Sequence, residues 1–261
     1  MTRLLVYVIH YFDPQSKFNG KSKIQNSDIR REILENALSA YSQLDYDVVI
    51  KICGFGNKSL IPLDIDFSNI LNDPQLILFE VLSNLHKNID FDFVIVVEDD
   101  ILVNSDSINN SIRFTYTNEI NHIYHPHRLE LSSKNIFNSI DLMLLPGKTG
   151  KYLKYNNNVL AEFMNPHAAF MLLSKNQVDF ASKIVDLNFR QRFFGGYMAS
   201  AFYNYLKPFI LFRDQVPHYI NYNIHLDPII FQPTWKNSIK RYLIRLLENN
   251  ICEYGKIFPP Y

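Results

Sequence analysis

The chain predicts an α/β fold with a mostly parallel central sheet, helices on both faces of that sheet, and a less regular second half. Three observations carry this. The runs at 4–9 (LLVYVI), 47–52 (DVVIKI) and 91–97 (FDFVIVV) are almost continuously apolar and rich in β-branched residues, as in strands covered on both faces. The intervals between them hold helical periodicity, and strand–helix–strand at this spacing means parallel pairing through right-handed crossovers. Finally, 261 residues that are 47% hydrophobic and 14% aromatic suffice for one core with a small annex and are too apolar for wholesale disorder.

The elements follow in order. After the first strand and a polar loop at 10–27, a helix of about 15 residues carries Ile29, Ile33, Leu34, Ala37, Leu38 and Tyr41 on one stripe, with Ser27 or Asp28 as its cap. The second strand is stopped by Cys53-Gly54-Phe55-Gly56. Asp73-Pro74 opens a second helix running to about Lys87, an acid at the cap and proline at the first position. The third strand ends abruptly in Glu98-Asp99-Asp100. Beyond it lie short strand-like pieces near 122–124, 141–145, 159–164, 168–173 and 209–212. Ser174-Lys175-Asn176-Gln177 has the capping-box form and should start a helix bearing Val178, Ala181, Ile184 and Val185. A further helix is expected over 196–206. In the tail, residues 235–250 place Trp235, Ile239, Tyr242, Leu243, Leu246 and Leu247 opposite Lys236, Lys240, Arg241 and Arg245. The expected division is a single catalytic domain over 1–232 (halves 1–105 and 106–232) followed by a C-terminal helix and tail over 233–261.

Charge and cysteine content remove several function classes. The 26 basic and 26 acidic residues cancel, which argues against nucleic-acid binding by bulk charge. Cys53 and Cys252 lack CxxC partners, so neither a disulfide scaffold nor a thiolate zinc site is expected, and a reduced cytoplasmic setting is the default. The apolar run at 4–9 is too short for a signal h-region, and no stretch approaches the roughly 20 apolar residues of a membrane span.

In a parallel sheet, ligands gather beyond the carboxyl ends of the strands. Those ends are here His10-Tyr11-Phe12-Asp13, Cys53-Gly54 and Glu98-Asp99-Asp100. Three carboxylates directly after an apolar strand concentrate negative charge, and a hard cation, Mg²⁺ or Mn²⁺, is the simplest remedy. The plainer alternative is an acidic loop capping the next helix.

The run Val94-Ile95-Val96-Val97-Glu98-Asp99-Asp100-Ile101 resembles the DxD-type motif of nucleotide-sugar glycosyltransferases with the GT-A fold, a Rossmann-type sandwich. The resemblance covers the order of elements over 1–105 and only loosely the second half. It implies Asp99 as a ribose contact, Asp100 as ligand of the divalent metal that bridges the donor phosphates, and Glu98 in support. It also implies His10, Tyr11 and Asp13 around base and ribose, and Arg30 at the base edge or pyrophosphate. That family's late metal-binding histidine is carried over to His225, with His218 as the alternative. The chain departs from the inverting pattern at 193–198 (FFGGYM), where no acid stands. Transfer to a hydroxyl at neutral pH calls for a base, leaving Glu162 and Asp214 as candidates and inversion or retention open.

Further polar residues point to the acceptor side. His122-Ile123-Tyr124-His125-Pro126-His127-Arg128 is dense in histidine; zinc ligation is one reading, and His127 with Arg128 reaching sugar hydroxyls or phosphate is the other. Asn165-Pro166-His167 is a second acceptor-side candidate. Gly54-Phe55-Gly56 lacks the third glycine of a dinucleotide fingerprint, the GKTG of 147–150 lacks the first glycine of a P-loop, and no GxSxG occurs. The expected function is thus divalent-metal-dependent transfer from a nucleoside-diphosphate sugar to a glycan or lipid-linked acceptor. The rivals are a non-catalytic carbohydrate-binding or scaffold protein of the same fold, and a metal-dependent hydrolase built on the histidines. The tail, with five basic against two acidic residues over 235–261, suits either a helix packed on the domain or peripheral contact with anionic lipid at the inner membrane face.

Overall fold

The computed structural model describes residues 1–15, 26–70, 77, 80–81, 90–101, 105–131, 137–139, 148–155, 158–163, 170–184 and 207–218. The three apolar runs form β1 (Arg3–His10), β2 (Asp47–Gly54) and β4 (Phe93–Glu98), all mutually parallel, with a two-residue β3 (Ile65–Asp66) beyond β2. The sheet order is β3-β2-β1-β4-β9, where β9 (Phe170–Ser174) pairs antiparallel with β4. The expected mixed α/β architecture with a mostly parallel central sheet is therefore present. Because β2 and β3 lie on one side of β1 and β4 on the other, the order reverses between β1 and β4. In open α/β sheets, the carboxyl ends of strands at such a reversal are where ligands bind.

Alternation along β1 divides the core. Leu4, Val6 and Val8 pack on one face with Leu34, Ala37 and Tyr41 of α1 (Ser27–Ser42) and Ile108 and Ile112 of α2 (Ser105–Thr117). Leu5 and Tyr7 pack on the other with Phe55, Ile77, Val81 and Val178, the last from α3 (Lys175–Ile184). Ile77, Glu80 and Val81, the described residues of the second expected helix, are helical. Burial of large apolar side chains on both faces, at about 1.5–3 kcal/mol each, is what holds the layers together.

Several local expectations are corrected. The cap of α1 is Asn26, not Ser27 or Asp28: its Oδ1 accepts from the backbone N–H of Asp28 at 2.9 Å and Ile29 at 3.1 Å. Helix α2 was not expected, because its Ser, Asn and Thr favour caps and turns over helix interiors. Here those hydroxyls turn inward along the helix, Ser111 Oγ donating to Ser107 O at 2.8 Å and Thr115 Oγ1 to Ser111 O at 3.0 Å. The capping box is formed as expected: Ser174 Oγ accepts from Gln177 N–H at 3.2 Å, and Gln177 Oε1 accepts from Ser174 N–H at 3.0 Å.

The second half holds another sheet, ordered β6-β5-β10-β8-β7, from β5 (His122–Leu131), β6 (Phe137–Ser139), β7 (Lys148–Tyr155), β8 (Asn158–Phe163) and β10 (Lys207–His218). Strand β10 runs parallel to β5 and antiparallel to β8, with a register shift between Leu211 and Gln215. Strand β7 was not expected. The strand expected at 141–145, the helix at 196–206 and the tail helix lie outside the described residues.

Candidate functional site

The site grows from the ends of β1 and β4. The ladder between them continues one residue past β4, Asp99 N–H donating to Ile9 O at 3.2 Å, and the chain then turns tightly with Ile101 N–H on Glu98 O at 3.2 Å. Asp99 is thereby set beside His10, the last residue of β1. Strand β2 comes equally close: a Cβ on Gly54, which lies opposite His10, would stand 2.3 Å from the His10 carbonyl oxygen. Only glycine permits that approach.

Helix α1 supplies the cation. A helix that follows a parallel strand starts at that strand's carboxyl edge, and Arg30 lies in its first turns, in phase with Leu34, Ala37 and Tyr41 on the buried face. Its Nη1 donates to Asp100 Oδ2 at 3.0 Å, and its Nη2 pairs with Asp99 Oδ1. The other Asp99 oxygen, Oδ2, bonds His10 Nδ1. On the far side of that ring, Leu60 N–H donates to His10 Nε2 at 2.9 Å. Because Nε2 accepts, the ring proton sits on Nδ1 and is donated to Asp99. His10, Arg30, Asp99 and Asp100 are all buried, from 0 to 7% exposed. Burial works against the Arg30 charge, yet Asp99 and Asp100 together raise its pKa above the ordinary arginine value.

A more open shelf adjoins this cluster. Phe12 N–H donates to Lys58 O at 2.8 Å, tying the β1 tip to the turn at Gly56–Lys58, and Lys58 Nζ pairs with Asp13 Oδ2 at 2.8 Å. The Lys58 hydrogen bond holds the Asp13 carboxyl below the usual range. Tyr11 donates to Asp13 Oδ2 at 3.4 Å and meets Phe55 edge to face, with ring centroids 6.1 Å apart.

The structure thus brings together His10, Arg30, Asp99 and Asp100, with Tyr11 and Asp13 alongside and Glu98 half-buried at the end of β4. Cys53 turns away into the core, where burial pushes its thiol up to about 12. Glu162 and Asp214 stand on the adjoining strands β8 and β10, Glu162 opposite Phe209 and Asp214 inside the register shift. His127 and Arg128 on β5 face Gln215 and Val216 across the ladder. Three expected residues, His225, Asn165 and His167, lie outside the described residues, and His218, the alternative to His225, is the last residue of β10. Sequence reasoning missed Lys58 and the Leu60 amide. A loop lysine shortly after a strand end is the only signal the first carried, and a backbone donor carries none.

A divalent ion on this acidic turn would need open carboxylate oxygens. Both Asp99 oxygens and one Asp100 oxygen are engaged by His10 and Arg30. Among the described residues, no three His, Cys, Asp or Glu side chains are grouped to hold a metal. The described residues, arranged as they are, do not fit an open divalent site.

No family model matches the chain, and no curated protein is similar to it in sequence. Solved structures overlap it loosely. A putative nucleotide-diphospho-sugar transferase from Desulfovibrio desulfuricans has 10% identity and a TM-score of 0.44, covering 97% of each chain. A 2-C-methyl-D-erythritol 4-phosphate cytidylyltransferase from Francisella tularensis has 15% identity and a TM-score of 0.41, covering 90% of this chain and 100% of the other. A 4-diphosphocytidyl-2C-methyl-D-erythritol synthase from Anaerococcus prevotii has 9% identity and a TM-score of 0.42, covering 92% and 96%. At this level of overlap, the functional reading rests on the site's own residues. No helix among the described residues is long and apolar enough to cross a membrane.

Proposed function

We propose that the chain is a nucleotide-sugar transferase that binds a nucleoside diphosphate at the crevice between β1 and β4 and passes the sugar to a glycan or lipid-linked acceptor. One observation carries the reading: Arg30, Asp99 and Asp100, with His10 hydrogen-bonded to Asp99, are buried at the carboxyl ends of the two strands where the sheet order reverses. Buried charge is costly, and this is the edge where α/β sheets take their ligands. In this reading Tyr11 and Phe55 form the apolar wall for the base, Lys58 meets phosphate by exchanging its Asp13 partner, and Arg30 with His10 holds the acidic turn rigid beneath them. Lys58, once released from Asp13, is then the cation that offsets the negative charge developing on a departing diphosphate. Glu162 and Asp214 remain the candidate bases, on the second sheet.

The rival is a non-catalytic carbohydrate-binding or scaffold protein of the same fold, favoured by the near-complete enclosure of Arg30 and Asp99. A thermal-shift panel separates the two, since a ligand raises apparent stability only if the folded protein binds it. Nucleoside di- and triphosphates, nucleotide sugars and free oligosaccharides are compared. Stabilisation by one nucleoside diphosphate and its sugar, followed by release of that sugar, supports transfer. Stabilisation by oligosaccharide alone sinks it in favour of the rival.

A further inference from the structure

We infer that Arg30 is the resident cation of the acidic turn, filling the place a divalent ion would take, so that the chain binds its diphosphate ligand without metal. The second half of this rests on the nucleotide reading above; the first does not. Glu98-Asp99-Asp100 has the composition of a metal-binding turn, but its side chains are spoken for. One planar guanidinium spans Asp99 and Asp100, and the remaining Asp99 oxygen is taken by His10. The arginine is not a stray surface residue that could swing aside. It lies on the buried face of α1 in phase with Leu34, Ala37 and Tyr41, one turn inside the Asn26 cap, and is 7% exposed. Withdrawing it would mean shifting the helix. A guanidinium cannot lose its proton at any working pH, so the compensation is permanent, whereas a metal dissociates. A dication brought to the same carboxylates would meet a like charge already in contact with them, in surroundings that screen poorly.

The prediction is a gained function. Mn²⁺ is titrated into the chelator-treated full chain and free Mn²⁺ is followed by its electron paramagnetic resonance signal. Wild type should bind no stoichiometric Mn²⁺. Arg30→Met should acquire one site, and Arg30→Met with Asp100→Asn should lose it again. A wild-type site abolished by Asp100→Asn overturns the inference, as does a folded Arg30→Met that takes up no metal. Should Arg30→Met not fold, its folding yield in added Mn²⁺ is the second readout: rescue supports the assignment, and failure of Mn²⁺ to rescue counts against it. In parallel, wild-type affinity for the nucleoside diphosphate that stabilises it should agree within about twofold in chelator and in Mn²⁺. Binding that requires Mn²⁺ refutes metal-free binding while leaving the proposed function intact. If no nucleotide binds under either condition, the proposed function and metal-free nucleotide binding fall together, and the Mn²⁺ titration alone still decides the role of Arg30.

Discussion

The central sheet carries the same charge trio at both ends, an arginine with two aspartates, and treats it in opposite ways. At the amino edge, Arg3 Nε meets Asp47 Oδ2 at 2.8 Å, its backbone N–H donates to Asp92 at 2.8 Å, and the Arg3 and Asp47 side chains are 45% and 41% exposed. At the carboxyl edge, Arg30 meets Asp99 and Asp100 with all three nearly sealed from water. Water screens the first trio, so its ion pair contributes little. The second has traded its hydration for fixed partners, so removing the arginine leaves two buried carboxylates without their cation. The amino edge holds its arginine in water, and the carboxyl edge, where parallel sheets take their ligands, buries one.

The comparison breaks most directly at the arginines. Arg30→Met should cost about 3–5 kcal/mol in urea unfolding, while Arg3→Met should leave the midpoint essentially unmoved; equal effects would erase the distinction between the two edges. Gly54→Ala strikes the carboxyl edge through the backbone. Its new Cβ meets the His10 carbonyl, and the overpacking should cost about 1–3 kcal/mol and displace His10, visible as altered imidazole resonances in NMR. Ser174→Ala, where β9 opens α3, removes one capping bond and should cost about 1 kcal/mol by the same unfolding measurement.

The smallest effect is a slope. Burial raises the Cys53 thiol from 9.0 to about 12 and the Tyr7 phenol from 10.0 to about 12. The unfolded chain ionises both earlier, so it binds fewer protons than the folded one, and stability must fall as pH rises from about 9 through 12. Cys53→Ala should flatten that alkaline decline in urea midpoints measured across the interval. An unchanged slope would mean the thiol reaches water.

Much of the first half was legible because its signals are local. Apolar runs bounded by polar residues mark β1, β2 and β4, and an abrupt end in three acids marks the site. What the residues did not announce is pairing across distance. Arg30 and Asp100 lie 70 positions apart, and only the phase of Arg30 with Leu34, Ala37 and Tyr41 hinted that its charge points inward. Helix α2 stayed hidden for a different reason: Ser111 and Thr115 spend their hydroxyls on the helix's own carbonyls, which no periodicity count registers. The second sheet was the least readable, because strands β8 and β10, which carry Glu162 and Asp214, pair across a long stretch of sequence.

One outer strand has a consequence for the protein's behaviour in a crowded solution. Among the described residues β3 pairs with β2 alone and is two residues long. Its Asp66 carboxylate is committed to the backbone N–H groups of Gly56 at 2.9 Å and Ser68 at 2.8 Å. An incoming strand needs a row of open amide and carbonyl groups to template on, and so short an edge, with an acid at its end, offers almost none. The margin of the sheet at β3, on the side of β2 away from β1, therefore offers little to a strand from another copy, and a substitution that lengthened β3 would change that.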